Sequence, residues 1–150
     1  MRVVIQRCKY AKVSINNVEF SSVKNGMLVL LAIEDTDTQD DINWLTKKII
    51  ALRIFDDENG IMNSDIRQIN GDIMVVSQFT LFASTKKGNR PSYLRSSKTD
   101  FALPMYESFV RTLEDAFQKR IYTGQFGADM QIELCNDGPV TIIIDTKLKE

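Results

Sequence analysis

Met27-Leu28-Val29-Leu30-Leu31-Ala32-Ile33 decides the fold: seven apolar residues in a row, bounded by Asn25-Gly26 before and Glu34-Asp35 after. A run this short, with no polar interruption, reads as a strand buried on both faces, since a half-buried strand would alternate. Its place is the centre of a sheet. Toward the N-terminus, Arg2 to Cys8 and Ala11 to Ile15 do alternate, with Lys9-Tyr10 between them, and Asn16-Asn17 supplies a turn. An N-terminal hairpin or meander is expected there.

Toward the C-terminus, Thr38 precedes a segment in which Ile42, Leu45, Ile49 and Leu52 share one helical face, with Asp40 and Asp41 where the helix dipole favours acids. Asp56 to Gly60 is a polar turn, and Ile73 to Leu81 reads as a second apolar strand. Phe82 to Thr99 reads as a long loop. Pro104 then suits the first turn of a second helix, which Met105, Phe109, Leu113 and Phe117 carry to about Arg120. Gln131 to Leu134 and Val140 to Asp145 are two β-like runs, divided by a tight turn at Cys135-Asn136-Asp137-Gly138-Pro139. This order predicts a compact α/β domain over residues 1–150, with mixed sheets and two helices covering one side.

Composition narrows the chemistry. A chain of 150 residues, 43% hydrophobic and 26% charged, has enough apolar side chains for the core of one globular domain. Arg2, Arg7, Lys9 and Lys12 interrupt the first segment, so it reads as neither a secretory signal nor a membrane span, and a cytoplasmic protein with no membrane partner is expected. Cys8 and Cys135 read as small buried hydrophobes rather than a disulfide. The chain has no histidine, which removes the usual general base and the commonest metal ligand, so hydrolases built on either are excluded. No cofactor and no metal are expected. A net charge of −1 argues against strong binding to long nucleic acid, and no DNA partner is expected; any RNA contact has to be local.

Four segments can carry chemistry. Ser77-Gln78-Phe79-Thr80-Leu81 places hydroxyls and an amide at the end of an apolar strand, where such groups either line a site or bond to local backbone. Asn136-Asp137-Gly138-Pro139-Val140-Thr141 allows close approach of backbone at the glycine, and its Gly-Pro bond is open to cis or trans. Between Phe82 and Thr99, Lys86, Lys87, Arg90, Arg95 and Lys98 occur with no acid among them; they form either a solvated surface or a seat for a few phosphates of an RNA end. Phe126-Gly127-Ala128-Asp129-Met130 offers an aromatic face and a thioether, fit for an adenine or for core packing.

Together these segments resemble the D-aminoacyl-tRNA deacylase family. The two signature motifs are present intact as Ser77-Gln78-Phe79-Thr80 and Asn136-Asp137-Gly138-Pro139, and the match runs from Met1 to Thr141. Leu52-Arg53-Ile54-Phe55 and Lys87-Gly88-Asn89-Arg90-Pro91-Ser92 also match, the latter in a form that looks bacterial. The resemblance implies a barrel-like pair of β layers under two helices, and a homodimer with its active sites at the subunit interface. It implies hydrolysis of the ester of D-aminoacyl-tRNA, and of glycine mischarged on tRNA(Ala). Ser77, Gln78, Phe79, Thr80, Gly138 and Pro139 would be catalytic, and Arg7, Phe126, Gly127, Met130, Asn136 and Thr141 would bind the aminoacyl-tRNA 3′ end. It further implies a cis Gly138-Pro139 bond that reaches into the partner's pocket, with Arg7 holding that turn across the interface. The related animal-type deacylase, with a trans Gly-Pro turn, is the nearest rival, and a non-catalytic nucleic-acid-end binder is a more distant one.

Overall fold

The computed structural model describes residues 1–149. Strand β1 (Arg2–Ile15) turns at Asn16 and Asn17, both with positive φ, into β2 (Val18–Val23) and then β3 (Gly26–Ala32), which follow one another antiparallel along β1. Helix α1 (Gln39–Ala51) leads to a small hairpin, β4 (Phe55–Asp56) with β5 (Met62–Ser64). Strand β6 (Asp72–Ser77) lies parallel to β3 and ends in a 3₁₀ turn, Phe79–Phe82. Helix α2 (Thr99–Phe117) is followed by β7 (Ile121–Thr123), parallel to β6, and by β8 (Gln131–Asp145), antiparallel to β1. The result is a mixed, nearly closed barrel-like sheet with two helices. Near its closure, Ser21 Oγ in β2 donates to the Thr123 carbonyl in β7 (2.6 Å).

The apolar run works as its composition requires. Met27, Val29 and Leu31, with Ile73 and Val75 of β6, face a core shared with Ile42, Leu45 and Ile49 of α1 and with Phe109 and Leu113 of α2. Leu28, Met74 and Val76 face the opposite way, into a second core with Cys8, Ala11 and Val13. Successive residues of a strand point to opposite faces, so a strand with cores on both sides has no position left for a polar residue. Each fully buried aliphatic side chain contributes about 1.5–3 kcal/mol. Gly26 is also fixed by packing, because a Cβ there would overlap the Asp72 carbonyl across the β3–β6 pair.

Four expectations change. The second apolar strand stops at Ser77, four residues short of Leu81, since the chain leaves the ladder at Gln78. Helix α2 starts at Thr99, so Pro104 lies inside it rather than in its first turn, with its ring on an exposed face. The tight turn at Cys135 to Pro139 is instead part of a single strand: β8 runs through it, and its ladder with β1 resumes beyond a bulge. Finally, Cys8 is buried as expected but Cys135 is exposed. Among the described residues no helix is long and apolar enough to cross a membrane.

The chain start is tied down by charge. The Met1 ammonium donates to Asp37 and to Thr146 Oγ1 (2.9 Å), and Lys147 Nζ donates to Asp41 Oδ2 (2.7 Å), which also accepts from the Thr38 N–H (2.8 Å) at the head of α1. Burial alone would raise the Asp41 carboxyl, but Lys147, Thr146 and Thr38 outweigh it and hold the group well below the usual carboxylate range. A depressed folded pKa stabilises the protein fully above the unfolded value of about 3.9 and is lost as pH falls through the folded one. Asp41→Asn is therefore expected to cost about 1–3 kcal/mol in urea unfolding at pH 7 and to lose less further stability than the parent between pH 5 and pH 3. Parallel stability curves for the two proteins would refute the assignment.

Candidate active site

Beyond the C-terminal ends of the parallel strands β3 and β6 lies a cavity of about 500 Å³. Its near wall is Ile33, Ser77, Gln78 and Phe79, and its far wall is Phe126, Gly127 and Met130. The Gln78 N–H donates to the Leu31 carbonyl (2.7 Å), after which the 3₁₀ turn swings the chain away. Gln78 Nε2 donates to Thr80 Oγ1 (2.6 Å), which leaves the threonine hydrogen available to another acceptor. The N–H groups of Phe79 and Thr80 open the turn, and among the described residues nothing accepts a hydrogen bond from either. Donors left over at the start of a turn are groups that a ligand can use.

The aromatic walls are braced. Phe126 is half-buried against the Tyr106 ring (centroids 5.5 Å apart), and the Tyr106 hydroxyl donates to the Val75 carbonyl (2.9 Å), where burial pushes its pKa up. Phe79 is exposed and meets Tyr93 edge to face at 5.1 Å, while its carbonyl accepts from Ser96 Oγ (2.7 Å). Among the described residues Asp129 is the only carboxylate lining the cavity.

A second cluster sits on the bulge of β8. Between two ladder positions β1 advances from Gln6 to Cys8, while β8 advances from Asn136 to Thr141, so the residues between are pushed out of the sheet. Gly138 and Pro139 are exposed there and joined by a cis peptide bond. The bulge is held from inside. Asn136 Oδ1 accepts from the Val140 N–H (2.9 Å), and Asn136 Nδ2 donates to the Val140 carbonyl (3.3 Å) and to Thr141 Oγ1 (3.4 Å). Arg7 is buried beneath it: Nε donates to the Asp137 carbonyl (2.9 Å), and Nη1 to the Ile54 carbonyl (2.8 Å) and Asp56 Oδ1 (3.2 Å). Arg7 thus grips the turn of its own chain. Gly138 has φ +134°, and a Cβ would fall 2.7 Å from Val140 Cγ2 and 3.3 Å from Arg7 Nη2, so only glycine fits.

The residues singled out from sequence therefore form two groups. Ser77, Gln78, Phe79, Phe126, Gly127 and Met130 line the cavity, with Thr80 just behind Phe79. Arg7, Asn136, Gly138, Pro139 and Thr141 gather on the bulge, and none of them lines that cavity. Not foreseen were Ser97, Thr99 and Ala102, which line the cavity where the loop passes into α2, beside Lys98 of the basic run. Ile54, which lies in the Leu52–Phe55 stretch that resembles the family, and Asp56, an acid in a turn, hold Arg7, a role that neither signals in the sequence.

Similarities place this arrangement. A solved structure of a protein named c-Myc DNA Unwinding Element Binding Protein is 37% identical, with TM-score 0.92 over 97% of this chain and 98% of its own. One of a probable eukaryotic D-amino acid tRNA deacylase has TM-score 0.82 over 95% and 97%, and at 18% identity it speaks for the fold alone. The family profile described as D-Tyr-tRNA(Tyr) deacylase matches residues 4–145, and the chain belongs to that family. Proteins named D-aminoacyl-tRNA deacylase from Flavobacterium johnsoniae and Parabacteroides distasonis are 59% and 60% identical, over all of this chain and all of theirs.

Removing the buried guanidinium tests the architecture of the bulge independently of function. Arg7→Met strands the Ile54 and Asp137 carbonyls without their donor, and a loss of about 2–4 kcal/mol in chemical denaturation is expected. A loss below about 1 kcal/mol would mean that the bulge stands without Arg7.

Proposed function

We propose that this deacylase acts in the cytoplasm on the ester that joins a D-amino acid to the 3′-terminal adenosine of tRNA, releasing free amino acid and tRNA. The observation that carries this reading is the full-length match to relatives of that name, at 59% and 60% identity. Glycine, with no side chain to clash, is a second substrate when mischarged on tRNA(Ala). The working unit is a homodimer, in which the Gly138-Pro139 bulge of one copy enters the cavity of the other. Supporting this is the division of the family motifs into two groups that one chain does not bring together, with Ile143 exposed farther along β8. A groove of about 690 Å³, lined by Val4, Trp44, Leu81 and Ile142 to Ile144 beside β8, gives the second copy a seat.

In this reading the adenine lies between Phe126 and Met130, and the ester carbonyl faces the Phe79 and Thr80 N–H groups. Water adds to the carbonyl carbon, the two N–H groups stabilise the oxyanion, and the C–O bond to the ribose breaks as the ribose oxygen takes the proton that the water gives up. A donor of this kind is worth roughly 2.7–4 kcal/mol. No side-chain base is required, because the 2′-hydroxyl of the substrate assists the leaving group. Attack by Thr80 itself is less favoured, since a threonine hydroxyl needs an activating base and the chain has no histidine. Handedness is screened by exclusion: the bulge backbone, kept bare of a side chain at Gly138, leaves room for hydrogen but not for an L side chain.

The pure protein should hydrolyse D-tyrosyl-tRNA at least about a hundredfold faster than L-tyrosyl-tRNA, a ratio that steric exclusion readily supplies. Equal rates would eliminate the filter. Release of neither would leave a nucleic-acid binder, the reading that the name of the 37%-identical protein favours. Thr80→Ala separates the two mechanisms: it should retain substantial turnover, whereas a substrate ending in 2′-deoxyadenosine should react poorly. Total loss in the variant with rapid turnover of the deoxy substrate would reverse that assignment.

A further inference from the structure

The loop from Ala83 to Lys98 is built onto the cavity rather than hung beside it. Ser84 and Ser92 pair through N–H to carbonyl bonds in both directions (2.8 and 2.9 Å), which closes the tip into a short arch carrying Lys86, Lys87 and Arg90. At its foot the Ser97 N–H donates to the Ile33 carbonyl (2.9 Å), Ser96 Oγ bonds the Phe79 carbonyl, Tyr93 meets the Phe79 ring, and Lys98 lines the cavity. Each foot contact is to a residue that forms or adjoins the cavity wall, so the arch has a fixed position at its mouth.

Charge on this loop is distributed unlike that of the rest of the chain. Residues 82–98 hold five basic residues and no acid, while the remainder holds fourteen basic and twenty acidic residues. Arg95 is spent on Glu34 and on the Phe82 ring. Lys86, Lys87, Arg90 and Lys98 are exposed and, among the described residues, form no ion pair; Lys24, Lys47, Lys48, Arg53, Arg111, Arg120 and Lys149 are also exposed and unpaired, but they are scattered among the acids, whereas the loop gathers four such cations within thirteen residues with no acid between them. Leu94 between them is 94% exposed, and Tyr93 and Phe79 are exposed beside it. Unpaired cations next to exposed flat and apolar side chains are what a single-stranded nucleic acid recognises: phosphates take the charges and bases stack on the rings.

We propose that this arch is the docking element for the single-stranded 3′ end of the RNA: Lys86, Lys87 and Arg90 hold phosphates of the nucleotides that precede the terminal adenosine, and the Phe79–Tyr93 pair with Leu94 meets their bases. The proposal rests on the deacylase reading and adds to it where the strand leaves the cavity. The acid excess elsewhere repels a polyanion, so binding is confined to this edge and a chain of net charge −1 needs no general affinity for nucleic acid.

The test compares two substrates, D-tyrosyl-tRNA and 3′-O-D-tyrosyl-adenosine, with the parent protein, the triple variant Lys86→Ala, Lys87→Ala, Arg90→Ala, and a charge-keeping triple Lys86→Arg, Lys87→Arg, Arg90→Lys. For the alanine variant, KM for D-tyrosyl-tRNA should rise roughly tenfold or more at low salt, while kcat/KM for the adenosine ester stays at the parent value. Each phosphate contact to a single strand contributes about 0.7 to the slope of log affinity against log salt, so three lost contacts should flatten the slope by about 2. Between 50 and 200 mM salt the parent should then lose on the order of twentyfold more tRNA affinity than the variant. The charge-keeping variant should follow the parent. An unchanged KM for D-tyrosyl-tRNA would overturn the proposal while leaving the deacylase reading intact, and would turn attention to an acidic protein partner. Equal losses on both substrates would show the arch acting on the cavity and not on RNA. A parent protein that cleaves neither substrate would sink the deacylase reading, and the proposal with it.

Discussion

The structure depends on burying β3 and β6 on both faces at once. One face of this parallel pair packs under α1 and α2, and the other fills the interior of the curled sheet. Parallel strands end together, so the last carbonyls of β3 and the first free donors after β6 emerge at one edge, where the chain has to change direction. That is where the cavity lies, in agreement with the general tendency of ligands to bind beyond the carboxyl ends of parallel strands. Site position therefore follows from the pattern of apolar residues, before any polar residue is considered.

What could be read from the sequence follows the range of the interactions involved. The double-faced run at Met27 to Ile33 and the helical face of Ile42, Leu45 and Ile49 are local patterns, and both elements formed where expected. The polar cluster at Ser77 to Thr80 was legible as the end of a strand, though its 3₁₀ geometry was not, because the bond from Gln78 to Leu31 that terminates the ladder joins residues far apart in the chain. Asn136 to Pro139 misled for the same reason: glycine and proline together read locally as a turn, while pairing with β1, at the other end of the sequence, keeps β8 one strand with a bulge. The start of α2 was hidden by the run of basic and serine residues before it and by a proline that suits a first turn. The motif residues themselves were all identifiable by resemblance, but their division into a cavity and a separate bulge is a matter of topology that no spacing reveals.

A chain without histidine shifts the burden of chemistry onto the main chain, and main-chain groups are only as useful as they are rigid. Both clusters are rigid for identifiable reasons. The Phe79–Thr80 turn is held by Gln78 on one side and Ser96 on the other, and the bulge by Arg7 and Asn136. Arg7 is a buried cation answered by two carbonyls and by Asp56 and Asp137, so its desolvation is offset by hydrogen bonds that only a guanidinium can make together. A lysine would keep the charge and lose the fork.

The same rigidity bears on the proposed pairing of two copies. The bulge projects from the strand paired with β1, whereas the cavity opens at the end of β3 and β6, and the ladder fixes the relation of these elements within the chain. A hinge that brought Gly138 to Phe79 in one chain would have to break the β1–β8 ladder or the core beneath β3, and either is far costlier than associating two finished surfaces. Shape selection by backbone also favours this arrangement. A wedge on a flexible lid would yield to an L side chain, while a wedge anchored in one folded subunit and inserted into another can move only if the interface opens. In the proposed enzyme, the discrimination between mirror images then rests on the stiffness of two ordinary folding motifs, a β-bulge and a strand-ending turn, set against each other by assembly.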